Sequence, residues 1–113
     1  GDLTALYDLA APFVLDQVKC EGRVLAVINN HGGRIFERLP RLRSMSPRAA
    51  ECMNNPHAAN LSGFAKLWSM DHLRIKTADD FDRFEPGGNP FLLEIIPDAE
   101  QTRRFWNDWD QWK

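Results

Sequence analysis

Residues 24–33 have the sequence Val24-Leu25-Ala26-Val27-Ile28-Asn29-Asn30-His31-Gly32-Gly33, and the fold can be worked out from them. The first five form a continuous apolar run, bounded by Gly22 before it and by two asparagines after it. Such a run is typical of a strand that is buried on both faces of a parallel sheet. The glycine pair then predicts a tight turn at the end of that strand.

Strands and helices alternate along the rest of the chain. Two more strands are predicted at residues 73–75 and 91–96, the second broken only by Glu94. Apolar spacing and capping residues predict helices at 6–14, at 58–70, at 78–84 after Thr77, and from Asp98 onward. Pro12 either kinks the first helix or lies where a second one begins. This alternation predicts an α/β fold of three layers, a mostly parallel sheet with helices on both faces.

The composition excludes several function classes. A chain of 113 residues that is 43% hydrophobic and 27% charged is an ordinary single globular domain. Fourteen basic residues against sixteen acidic ones leave no basic patch for nucleic acid. No apolar run is long enough to span a membrane. Cys20 and Cys52 match no metal-binding spacing, so we expect reduced cysteines in a cytoplasmic protein.

The residues with chemical potential follow strand ends. Asn30 comes directly after the strand at 24–28, and we expect Asp2 to follow a preceding strand that has been cut away. Ligands of open parallel sheets bind at the carboxyl ends of the strands, so Asp2 and Asn30 should lie side by side. A carboxylate, an amide oxygen and the Gly32 carbonyl are oxygen ligands that suit Mg²⁺. The N–H groups near Leu3 and Thr4 would favour an anion at the same place.

Gly1-Asp2 followed by Asn29-Asn30 resembles the cofactor motif of the thiamine-diphosphate enzymes, although most members have glycine where this chain has Leu3. Residues 1–9 and 29–40 are similar to one branch of that family. This branch is the 2-succinyl-5-enolpyruvyl-6-hydroxy-3-cyclohexene-1-carboxylate synthases of menaquinone biosynthesis. The close resemblance covers roughly residues 1–40, and it is looser beyond.

The resemblance implies a role for each matching residue. Mg²⁺ would be held by Asp2, Asn30 and Gly32, and the diphosphate by Leu3 and Thr4. Gly33 and Ile35 would complete the contacts with thiamine diphosphate. An apolar wall beside the thiazolium ring and the substrate would consist of Ile35, Phe36 and Leu39. Members of the branch decarboxylate 2-oxoglutarate and add the resulting succinyl carbanion equivalent to isochorismate.

The same resemblance implies a larger assembly. Residues 1–113 would be the C-terminal part of a diphosphate- and magnesium-binding domain, with the remaining domains elsewhere in a homo-oligomeric parent enzyme, a dimer or tetramer. In these enzymes a glutamate from a different domain activates the cofactor. No residue here matches it, so the chain would carry no catalytic residue and would be inactive alone. Arg34 and Arg38 are unassigned candidates for binding substrate carboxylates.

Simpler interpretations stand beside these. Asp2 could be a helix N-cap, and Asn29-Asn30 with the glycines could be an ordinary turn. Ile35 and its two apolar partners could be core. His57 and His72 match no ligand spacing and are expected to be structural or surface residues, whereas His31 would lie near the cofactor. The aromatic residues Phe105, Trp106, Trp109 and Trp112 recur at helical spacing, which favours a packing face.

Two other functions remain open at this point. One is a different thiamine-diphosphate carboligase or decarboxylase, similar to acetolactate synthase. The other is a non-catalytic α/β module in which the motif is a coincidence.

Overall fold

Three parallel strands form the centre of the protein, seen in a computed structural model that describes residues 1–18, 22–42 and 44–112. The strands are β1 (Val24–Ile28), β2 (Asp71–Ile75) and β3 (Phe91–Ile95), and their order in the sheet is β1-β3-β2. In the register, Ile95 of β3 lies opposite both Ile28 and Ile75. All three strands therefore end at the same edge of the sheet, and the loops that follow them meet there.

Helices cover both faces of this sheet, which confirms the predicted three-layer α/β fold. They are α1 (Asp2–Tyr7), α2 (Phe13–Gln17), α3 (Pro47–Asn54), α4 (Ser62–Leu67), α5 (Ala78–Phe81) and α6 (Ala99–Gln111). Two 3₁₀ helices, Arg34–Arg38 and Pro40–Leu42, lie between β1 and α3.

The core has two parts, one on each face of the sheet. The part under α1 and α4 contains Val27, Leu61, Phe64, Ala65, Met70 and Leu92. The part on the opposite face contains Ile75, Phe91 and Leu93, and the Phe84 ring packs edge-on against Phe91 at 5.0 Å between centroids. Burial of apolar surface in these clusters is the main favourable term that holds the helices on the sheet.

The prediction that β1 is buried on both faces is wrong. β1 is an edge strand, and Ile28 is 53% exposed within this chain while Val27 is buried. The strand with two buried faces is β3, because β3 is flanked by the other two strands and covered on both sides. An apolar run identifies a strand but does not give its position in the sheet.

The predicted helices are present, and most are shorter than predicted. The first amphipathic segment is divided into α1 and α2, and α2 begins directly after Pro12. Of the two alternatives for Pro12, the start of a second helix is therefore the correct one. The helix predicted at 58–70 is reduced to α4, and the one predicted at 78–84 is reduced to α5. The Asp98 carboxylate caps α6 by accepting a hydrogen bond from the Gln101 N–H at 2.7 Å.

Two expectations from composition can be compared with the structure. Within residues 1–18, 22–42 and 44–112, no helix combines the length and the apolar character needed to cross a membrane. Cys52 is a free, exposed thiol. The expectation for Cys20 lies outside the described residues.

Candidate functional site

The Asp2 carboxylate lies buried at the carboxyl edge of the sheet, with 3% of the residue exposed. Its Oδ1 atom accepts a hydrogen bond from the Leu3 N–H at 2.8 Å, and its Oδ2 atom accepts one from the Gly32 N–H at 3.0 Å. Gly1, not Asp2, occupies the N-cap position of α1, so the N-cap interpretation of Asp2 is wrong. Asp2 instead connects α1 to the loop that follows β1.

That loop, residues 29–33, is called here the asparagine–glycine loop. It starts where the Asn29 N–H donates to the Ile95 carbonyl at 2.7 Å, which continues the parallel ladder. His31 and Gly32 then adopt positive φ angles of 64° and 141°. A Cβ atom on Gly32 would lie 2.6 Å from the Asn54 carbonyl oxygen, closer than van der Waals contact allows. Glycine is therefore required at position 32 for both conformation and space.

Three residues at this edge, Asp2, Asn30 and Gly32, have oxygen atoms that could hold a metal ion. Asn30 Oδ1 is buried and has no hydrogen-bond partner among the residues that the structure describes, which is unusual for a polar atom. The Gly32 carbonyl accepts from the Arg34 N–H at 2.9 Å and keeps a second lone pair. Among the described residues no three His, Cys, Asp or Glu side chains group as a metal site. A metal ion here would depend on mixed oxygen donors, the kind that Mg²⁺ accepts.

His57 supports Asp2 from the far side of the loop, a role that sequence spacing did not show. Its Nε2 atom lies 3.1 Å from Asp2 Oδ2, and its Nδ1 atom accepts from the Ala59 N–H at 3.2 Å. Because Nδ1 is an acceptor, the ring proton is on Nε2 and is donated to the carboxylate. The His31 ring lies edge-on to His57 at 5.8 Å between centroids. His57 was expected to be a structural or a surface residue, and its contact with Asp2 makes it structural.

The α1 terminus differs from the expected anion site. The Leu3 N–H is not free, because it donates to Asp2 Oδ1. Thr4 is exposed, and it lines a cavity together with Leu25 of β1 and Phe64 of α4. With α1 only six residues long, the helix contributes a small dipole. Of the two groups predicted to contact the diphosphate, the Leu3 N–H is therefore already used in a hydrogen bond, whereas the Thr4 hydroxyl remains a candidate.

The predicted apolar wall lies on the first 3₁₀ helix, directly after the asparagine–glycine loop. Ile35 is 71% exposed and Leu39 is also exposed, so the alternative that these two residues are core is wrong within this chain. Phe36 is half-buried, and its ring lies 3.0 Å from the position that a Cβ atom on Gly33 would take. Gly33 therefore lets Phe36 pack against the loop while Ile35 points outward.

We expect Ile35→Ser in the full-length protein to change the free energy of unfolding by less than about 0.5 kcal/mol, because an exposed side chain has little packing to lose. If the wall borders the reacting groups, turnover should nevertheless fall by about tenfold. Leu67→Ser, at another exposed apolar position, is the matched control and should change neither quantity. A loss of stability with normal turnover would make Ile35 a packing residue.

Arg38 is held by α6. Its guanidinium carbon lies 4.1 Å from the centroid of the Trp106 ring, and its Nη2 atom lies 2.8 Å from Asp110 Oδ1. Arg38 is thus occupied within the chain, whereas Arg34 is exposed. Of the C-terminal aromatic residues, Trp106 is half-buried whereas Trp109 and Trp112 are exposed, so the predicted packing face is mostly uncovered within this chain.

A parallel α/β sheet places the buried acid and the asparagine–glycine loop side by side at its carboxyl edge, the edge at which domains of the open parallel α/β class bind their ligands. No family model matches the chain. Curated relatives do match, and they carry the name 2-succinyl-5-enolpyruvyl-6-hydroxy-3-cyclohexene-1-carboxylate synthase.

One of these relatives, from Akkermansia muciniphila, is 42% identical over 106 residues, 92% of this chain and 20% of the relative. Another, from Bdellovibrio bacteriovorus, is 32% identical over 114 residues, 100% of this chain and 20% of the relative. The relative from Chlorobaculum tepidum is 33% identical over 106 residues, 90% of this chain and 18% of the relative. Over the matched residues the chain belongs to this synthase family, and it spans about a fifth of the length of these curated relatives.

Proposed function

We propose that the full-length protein is a thiamine-diphosphate-dependent synthase of menaquinone biosynthesis, and that this chain anchors Mg²⁺ and the cofactor diphosphate. The names of the relatives support the synthase, and a single structural observation supports the anchoring role. Within residues 1–18, 22–42 and 44–112, Asn30 Oδ1 is a buried oxygen without a hydrogen-bond partner, on the loop whose Gly32 N–H donates to the buried Asp2 carboxylate. An acceptor buried without a donor costs free energy, and a bound cation would remove that cost.

The residues present fit a magnesium–diphosphate group. Asp2 supplies negative charge, and its hydrogen bonds to the Gly32 N–H and His57 fix its orientation. A ligand carboxylate oriented by such outer hydrogen bonds binds its metal more tightly. Asn30 Oδ1 and the Gly32 carbonyl would be the neutral donors, and diphosphate oxygens and water would complete the coordination. The Thr4 hydroxyl and the backbone around Leu3 and Gly33 would then lie against the diphosphate.

When bound, thiamine diphosphate supplies the carbanion chemistry that removes CO₂ from a 2-oxo acid and transfers the remaining acyl group. The chain contributes placement and surroundings. Ile35, Phe36 and Leu39 would exclude water from the side of the cofactor that faces the substrate. A low dielectric favours a step in which charge is dispersed, and loss of CO₂ is such a step. No side chain of this chain is assigned a proton transfer.

The proposed substrates are 2-oxoglutarate and isochorismate. With Mg²⁺ and thiamine diphosphate, we expect the full-length protein to consume 2-oxoglutarate in an isochorismate-dependent reaction. Pyruvate should be used at least about 100-fold less efficiently, because it lacks the second carboxylate that a matched site would bind. The measurement is CO₂ release with each 2-oxo acid. A preference for pyruvate would contradict this assignment and favour an acetolactate-synthase-like carboligase instead.

The proposed assembly is a homo-oligomer in the cytoplasm, with a catalytic glutamate from another domain. The resemblance of the motif to that of the thiamine-diphosphate enzymes supports this proposal. Residues 1–113 would be part of the C-terminal cofactor-binding domain, inactive without the rest.

A further inference from the structure

Glu94 is a fully buried acid near the carboxyl end of the central strand β3, with 0% of the residue exposed. Its Oε2 atom lies 2.9 Å from His72 Nε2 and 3.4 Å from Arg74 Nε, both on the neighbouring strand β2. The Leu61 N–H also donates to Oε2 at 3.3 Å. Oε1 accepts from the Asn29 side-chain amide at 2.6 Å, across the sheet on β1's side.

Packing alone does not explain an acid at this position. A buried ion pair is often no more stabilising than apolar residues of the same volume, because desolvation offsets the attraction. Leu92, which points to the same face of β3, shows that the core there accepts an apolar side chain. The informative contact is therefore the one that no apolar side chain could make, between Glu94 and Asn29.

Asn29 transmits this contact to the asparagine–glycine loop. Its Nδ2 group donates to Glu94 Oε1 and to the Ala59 carbonyl at 3.0 Å, so both amide protons are used. The remaining Oδ1 atom must then face the other way, where it accepts from the His31 N–H at 3.3 Å. This bond holds the backbone at the point where φ becomes positive, at His31 and Gly32.

We propose that Glu94 is a positioning residue for the metal-binding loop, which rests on the proposed function. Acting through Asn29, it sets where Asn30 Oδ1 and the Gly32 carbonyl lie. His72 and Arg74 contact Glu94 Oε2 and hold the side chain in place, so that a cluster on β2 and β3 determines the geometry at the end of β1.

The test compares Glu94→Gln with Leu93→Ala in the full-length protein. Glutamine has the shape of glutamate, but one of its two terminal atoms is a nitrogen that donates. It cannot accept hydrogen bonds at both terminal atoms, so the set of hydrogen bonds that includes Asn29 is broken. Leu93→Ala removes apolar contacts on the opposite face of the same strand and does not touch Asn29. Two quantities are measured: amide hydrogen exchange of residues 29–33 without metal, and the Mg²⁺ concentration that gives half-maximal binding of thiamine diphosphate.

Glu94→Gln should speed exchange in the loop and raise the half-saturating Mg²⁺ concentration by about tenfold or more, the usual effect of losing an outer-shell partner. Leu93→Ala should lower the melting temperature and leave both quantities within about threefold of wild type. If Glu94→Gln leaves either quantity at the wild-type value, or Leu93→Ala changes both equally, the inference is overturned.

Asn29→Ala is the second variant, in case Glu94→Gln does not fold, because it removes the link to the loop and leaves the contacts of Glu94 with His72 and Arg74 in place. It should reproduce both effects, and the double variant should be no worse than either single one, since the two residues act in series. Additive effects would mean that Glu94 does not act through Asn29. If the wild-type protein itself shows no Mg²⁺-dependent binding of thiamine diphosphate, the proposed function fails, a result that differs from all of these.

Discussion

Asp2→Asn in the full-length protein is expected to weaken Mg²⁺-dependent binding of thiamine diphosphate by about 100-fold or more, beyond the usual effect of an outer-shell change. The substitution removes the only negative charge among the three proposed ligands. It also places an amide group where the Gly32 N–H and His57 donate to Oδ2, so that one donor loses its acceptor. The measurement is calorimetric titration of thiamine diphosphate at fixed Mg²⁺.

Asp8→Asn is the matched control, because Asp8 is an exposed acid six residues further along the same segment. It makes the same change in net charge and should leave the affinity within about threefold, since exposed charges are screened by salt. Equal losses in both variants would assign the effect to net charge and would remove Asp2 from the site. Wild-type affinity in Asp2→Asn would do the same.

Gly32→Ala is expected to cause the second large loss. Alanine at a φ of 141° costs on the order of 1–3 kcal/mol. The added Cβ atom would lie 2.6 Å from the Asn54 carbonyl oxygen, which belongs to α3 and cannot move independently. The loop must shift, and the Gly32 carbonyl and N–H move with it. We expect weaker binding of Mg²⁺ and thiamine diphosphate together with a lower melting temperature.

Gly63→Ala is the control for this experiment. Gly63 lies in α4, and a Cβ atom there would meet nothing within 4 Å. Alanine in a helix is favourable relative to glycine by up to about 1 kcal/mol, so the melting temperature should rise slightly and cofactor binding should be unchanged. If Gly32→Ala behaves like Gly63→Ala, the conformation of the asparagine–glycine loop is not that of the functional protein.

The strands and most helices could be predicted from local patterns, because apolar runs and capping residues act over a few residues. Asp98 shows this well, since its capping bond to the Gln101 N–H is three residues away. The order of the strands could not be predicted in the same way. β1 and β3 both have apolar sequences, and only the crossover connections place β3 in the centre.

The site was predictable to the extent that parallel strands end together. That rule places the asparagine–glycine loop at the carboxyl edge of the sheet, where the Asp2 carboxylate accepts a hydrogen bond from the Gly32 N–H. His57 was not predictable, because it reaches Asp2 from a loop 55 residues later along the chain. Glu94 did leave a signal. A charged residue within an apolar strand predicts buried partners, although the sequence does not say which ones.

The most direct test is a crystal structure of the full-length protein with Mg²⁺ and thiamine diphosphate. We expect one Mg²⁺ ion at about 2.1 Å from a carboxylate oxygen of Asp2, from Asn30 Oδ1 and from the Gly32 carbonyl oxygen, with diphosphate oxygens in the same coordination sphere. A cofactor bound elsewhere, or a metal ion coordinated without Asp2 and Asn30, would contradict the proposed anchoring role.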